Sequence, residues 1–95
     1  MPYGIVHFFK GGTKEQYDAT LRAVHTDKDL PDGQVFHAAG PTGDGWIVMA
    51  IHDSEASWNR FRDETLMPRM VEGIEGGFTS PPEERSFDVQ NHRTA

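Results

Sequence analysis

Phe36-His37-Ala38-Ala39-Gly40-Pro41-Thr42-Gly43-Asp44-Gly45-Trp46-Ile47-Val48-Met49-Ala50-Ile51-His52 decides the fold. Two apolar runs rich in β-formers flank a loop of Gly, Pro, Thr and Asp, which is hairpin chemistry. The stretch reads as strand, turn, strand, with the second strand stopping near His52. Neither run alternates cleanly between polar and apolar, a pattern of strands covered on both faces. His37 sits inside the first run, among apolar neighbours.

Upstream, Thr26 to Gly33 is polar and ends in Leu30-Pro31-Asp32-Gly33, a turn signal. Before it, Thr13-Lys14-Glu15-Gln16 is a capping-box pattern, and a helix follows to Val24 or His25. Tyr17, Thr20, Leu21 and Val24 form its apolar stripe. Tyr3 to Lys10 is a strand, dense in β-branched and aromatic residues, with His7 inside it and Gly11-Gly12 ending it. Both of its phases carry apolar side chains, so it is expected to be central.

Downstream, Asp53 or Ser54 caps a second helix whose buried stripe is Trp58, Phe61, Thr65, Leu66 and Met70. Pro68 should kink or restart that helix. Phe78 to Glu84 reads as a loop, and Arg85 to Val89 as a short last strand. The order is β-α-β-β-α-β. Right-handed crossovers put both helices on one face of a four-stranded antiparallel sheet, an α+β, ferredoxin-like arrangement. Residues 1–90 are expected to form one domain and 91–95 a frayed tail.

The helices can cover only one sheet face, yet the first three strands look apolar on both. The second face then needs a partner, and an identical sheet is the simplest one. A chain of 95 residues buries only about two-thirds of its unfolded surface, which also favours pairing. The expectation is a homodimer.

The net charge of −6 argues against nucleic acid, which needs a basic face. There is no Cys, hence no disulfide, thiolate nucleophile or Cys metal cluster. No apolar run reaches the roughly 18–20 residues of a membrane span. With no secretory signal pattern after Met1 either, a cytoplasmic protein is expected.

The pattern resembles the dimeric α/β-barrel superfamily, and within it the small proteins related to antibiotic-biosynthesis monooxygenases. The resemblance is carried by Gly11-Gly12-Thr13-Lys14-Glu15-Gln16-Tyr17-Asp18, by His37-Ala38-Ala39-Gly40-Pro41 with Asp44-Gly45-Trp46, and by Asp53-Ser54-Glu55-Ala56 with Phe61 and Leu66. It implies two sheets joined as a dimeric barrel. It also implies a wide set of activities: cofactor-free oxygenation, haem degradation, polyketide cyclisation and lactone isomerisation. The haem-degrading members use an Asn on the first strand and a His near the end of the second helix. This chain has neither, so haem is not expected, nor is any other cofactor.

His37 is the first candidate for chemistry, because a half-buried imidazole passes a proton near neutral pH. The structural alternative is a histidine satisfied by backbone or by the dimer interface. Tyr17 and His7 are the assisting candidates, and His52 is a candidate beside His7. His7 and His37 stand about two strand spacings apart, roughly 10 Å, which is long for two ligands of one metal, so no metal site is expected. Trp58, Phe61, Trp46 and Phe36 are the candidate lining for a small apolar metabolite, with core and dimer packing as the plain alternative. The acidic residues Asp27, Asp29, Asp32, Asp44 and Asp53 show no paired spacing, and Glu83-Glu84 reads as a solvated run. Cofactor-free oxygenation, cyclisation or isomerisation of an aromatic or polyketide-like metabolite is the leading expectation. A non-catalytic binding or assembly dimer is the alternative. A connected pocket of roughly 300 Å³ or more favours the first.

Overall fold

The computed structural model describes residues 1–24 and 30–94. Four strands form one antiparallel sheet: β1 (Tyr3–Lys10), β2 (Gln34–Thr42), β3 (Gly45–His52) and β4 (Glu83–Asp88), in the order β2-β3-β1-β4. The first strand is central, as its two apolar phases require. Two helical regions cross over the sheet, giving the ferredoxin-like α+β order.

The capping box holds α1 (Lys14–Val24) at its start. Gln16 N–H donates to Thr13 Oγ1 at 3.2 Å, and Thr13 N–H donates to Gln16 Oε1 at 3.0 Å. Ser54 caps α2 (Glu55–Phe61), accepting from Ser57 N–H at 3.0 Å. A π-turn over Arg62–Leu66 follows, then α3 (Met67–Glu72) with Pro68 in its first turn. Pro68 has no N–H to give, and the chain meets this by widening one turn before it: Met67 N–H reaches back to Arg62 O. The expected kink is therefore a π-turn. His25, Asp27 and Asp29 lie outside the described residues.

Three boundaries differ from expectation. The hairpin loop shrinks to Gly43-Asp44, because β2 continues through Gly40 and Pro41 to Thr42. Proline is tolerated there because β2 is an edge strand. The last strand starts two residues early, so Glu83 and Glu84 belong to β4 and pair with β1. Third, β2 carries a bulge between Gln34 and Phe36, with Gln34 opposite His52 and Phe36 opposite Ile51. The extra residue resets the alternation. Gln34 and His37, three apart, would face opposite ways in a regular strand; across the bulge they share the helix face.

The core is small. Ile5, Phe9, Trp46, Trp58 and Val89 are its buried apolar residues among those described. Phe78 stacks on Phe9 with ring centroids 3.7 Å apart. The opposite sheet face stays open, with Phe36, Met49 and Phe87 at 37%, 43% and 48% exposure. His92 sets its ring edge against Phe36 at 6.3 Å. No described helix is long and apolar enough to cross a membrane.

Candidate functional site

Between the sheet and the helices lies a cavity of about 80 Å³. Its walls are mostly apolar: Ile5 and Phe9 from β1, Val48 and Ala50 from β3, Leu21 and Val24 from α1, and Trp58, Phe61 and Leu66 from the second helical region. All four stripe residues of α1 face it. The polar groups on its surface are few: His7, Tyr17, Thr20, Gln34 and His37. A wider groove of about 340 Å³ between α1 and α3 is lined by Arg22, Arg69, Glu72 and Glu75 and lacks such an apolar wall.

His37 is tied to side chains. Its Nε2 lies 2.6 Å from the Tyr17 hydroxyl, and its Nδ1 lies 3.0 Å from Gln34 Oε1. The chain of contacts goes on. Gln34 Nε2 is 3.2 Å from His52 Nε2, and His52 Nδ1 is 3.1 Å from Ser57 Oγ. Five side chains thus connect α1, β2, β3 and the first turn of α2. His52 has no solvent exposure at all and packs against the Trp58 and Phe61 rings. At the other wall, His7 Nε2 contacts Glu84 Oε1 at 2.7 Å. A carboxylate only accepts, so in that pair the proton sits on Nε2. The His7 ring meets Phe9 edge-on and leans on Trp58. Thr20 Oγ1 is buried with no hydrogen-bond partner among the described residues.

Of the residues expected from sequence, His37, Tyr17, His7, Trp58 and Phe61 meet at this cavity. Trp46 does not line it; it is buried beside Tyr17, with ring centroids 5.3 Å apart. Phe36 is on the other face of the sheet, because a strand turns neighbouring side chains in opposite directions. Gln34, Ser57 and Glu84 are the polar residues that sequence reasoning did not assign to the site; His52, considered beside His7, joins it through Gln34. Among the described residues, no three His, Asp or Glu side chains gather as a metal ligand set.

Burial pushes His37 below the usual histidine pKa, and does the same to His52 against the opposing pull of Asp53. Burial pushes the Tyr17 phenol up, with Asp18 adding to it. Near neutral pH the site therefore holds two neutral imidazoles and a neutral phenol. The unfolded chain takes up protons at both histidines before the folded chain does. Stability is thus expected to fall as pH drops through about 6.5, and this contribution levels off below the folded values. Urea melts at about pH 7.5 and about pH 5.5 check this: the midpoint should be lower in acid, and the drop should shrink in His52→Gln.

No protein-family model matches the sequence, and no curated protein matches it. Among solved structures there is a likeness. The chain is similar in fold to Rv0793 from Mycobacterium tuberculosis. The TM-score is 0.73 at 14% sequence identity, covering 99% of this chain and 100% of that one. At that identity the likeness establishes the fold and does not extend to activity.

Proposed function

We propose that this protein binds a small, largely apolar molecule in the sheet–helix cavity and moves a proton on it through Tyr17 and His37. One observation carries the reading: the 2.6 Å contact between the Tyr17 hydroxyl and His37 Nε2 at the wall of a mostly apolar cavity. In the proposed step, a substrate C–H or O–H proton passes to the Tyr17 oxygen as the Tyr17 proton passes to His37 Nε2. Return of the proton to another substrate atom completes an isomerisation, or the proton-transfer part of a cyclisation. The step is redox-neutral and calls for no cofactor. It is one of the reaction types implied by the resemblance to the dimeric α/β-barrel superfamily and the antibiotic-biosynthesis-monooxygenase-related proteins. The working unit is a homodimer in this reading, each subunit with its own cavity.

Size narrows the substrate. At about 80 Å³ the cavity falls well short of the roughly 300 Å³ expected of a ligand pocket and is about half of the ~150 Å³ that admits benzene, so the part of a ligand that enters has only a few heavy atoms. A whole polyketide does not fit. The same smallness favours a second reading, a non-catalytic dimer whose polar chain only satisfies buried groups. Deuterium wash-in at the α-carbons of acetone and acetaldehyde, followed by proton NMR in heavy water, separates the two. The expected result is exchange above buffer for at least one compound, reduced roughly 10²-fold or more in His37→Ala. No exchange above buffer, or an unchanged rate in His37→Ala, supports the second reading and overturns the first.

A further inference from the structure

The hydrogen-bond chain under the helices has a direction that can be worked out atom by atom. Gln34 Oε1 can only accept, so His37 must carry its proton on Nδ1 to fill that 3.0 Å contact. A neutral imidazole then has a bare Nε2, and the Tyr17 hydroxyl donates to it. The Gln34 amide nitrogen can only donate, so His52 Nε2 must be bare as well. The His52 proton is then on Nδ1 and is donated to Ser57 Oγ. With the amide in this orientation, one assignment satisfies all four contacts, with both imidazoles neutral.

From this we propose that Gln34 and His52 are positioning residues that hold His37 in its Nδ1–H tautomer and so keep Nε2 as the basic atom toward Tyr17. Neither needs to touch a ligand through a reacting atom. The Gln34 amide does the orienting, and His52 in its Nδ1–H form holds the amide: flipping the amide alone would bring its oxygen against a lone pair on His52 Nε2, so the two residues fix each other. Ser57, seated in the first turn of α2, anchors the far end. The β2 bulge is what brings Gln34 to the same face as His37, so the backbone irregularity and the tautomer are parts of one device. The inference deepens the reading of His37 as a base and rests on it for its functional meaning. Its structural content stands apart.

The test is long-range nitrogen–proton correlation NMR of the imidazole rings in the full chain at neutral pH, without ligand. In the wild type, both His37 and His52 should be protonated on Nδ1 and bare on Nε2. Gln34→Leu removes the acceptor, and His37 should move to the Nε2–H form, donating to the Tyr17 oxygen. Gln34→Glu provides a second reading that does not depend on tolerance of leucine. A carboxylate only accepts, so His37 should keep its Nδ1 proton while His52 gains one on Nε2. A wild-type His37 or His52 bare on Nδ1 would overturn the proposal, as would tautomers that stay unchanged in both variants. Correct tautomers without deuterium exchange would sink the proposed function and leave this inference standing. Exchange with the opposite tautomers would overturn this inference and the Tyr17-to-His37 route together, leaving only proton transfer in the cavity by another route.

Discussion

Gly33→Ala is expected to cost about 3 kcal/mol, far more than a methyl group on a turn usually does. Two effects add. Gly33 has φ +83°, a left-handed conformation that costs other L-residues roughly 1–2 kcal/mol. A Cβ there would also overlap the Ser57 side chain, and overpacking of that kind costs about 1–3 kcal/mol. Gly11→Ala is the control for the first effect alone, since φ is +72° but no described residue stands within 4 Å of the added carbon. It should lose about 1 kcal/mol. Gly43→Ala, at an open turn without a positive φ, should be near neutral. The difference matters because Ser57 Oγ lies 3.1 Å from His52 Nδ1. Pushing Ser57 away leaves the Nδ1 side of a fully buried histidine without that partner, and the damage should travel through Gln34 to the His37 end of the chain. Urea midpoints for the three variants decide it. If Gly33→Ala loses no more than Gly11→Ala, Ser57 is not seated against Gly33 as the structure places it.

The same corner shows which parts of the site the sequence could reveal. Local signals read well. Thr13 and Gln16 cap α1 reciprocally, and the 17, 20, 21, 24 spacing names the helix face that lines the cavity. The β1 limits fall where the apolar run begins and ends. His37 and Tyr17 were legible as chemistry-bearing side chains, although their 2.6 Å contact was not. Non-local facts were hidden. Gln34 is three residues from His37, and strict alternation sends it to the wrong face; only the bulge, which has no local sequence mark, brings it back. Glu84 looked solvated because Pro81-Pro82 masks the start of β4, while the register that sets it opposite His7 is a property of the sheet. Phe36 is a different case. Alternation already forbids it from sharing a face with its neighbour His37, and composition alone had grouped the two.

Met49→Glu is expected to turn a dimer into a monomer. Met49 lies near the middle of the open face, with Val6 opposite it on β1 and Ala38 opposite it on β2. Phe36, Met49 and Phe87 are all more than a third exposed on a single chain, an apolar area of the kind that marks an interface. If two such sheets pack face to face about a twofold axis, one substitution introduces two carboxylates. Each would be desolvated without a partner, a loss of several kcal/mol. Even about 4 kcal/mol weakens the dissociation constant roughly 10³-fold. In an isolated subunit the same change sits on a solvated surface and should cost under about 0.5 kcal/mol. Sedimentation velocity at tens of micromolar reads the outcome: a dimeric wild type and a monomeric variant, with a melting temperature that depends on concentration only in the former. A monomeric wild type would remove the interface argument, as would a variant that stays dimeric. The cavity and its polar chain lie on the other face of the sheet, so the monomer should keep the His37 and His52 tautomers of the wild type. That separation shows whether pairing is needed for the site or only for the stability of a chain with a small core.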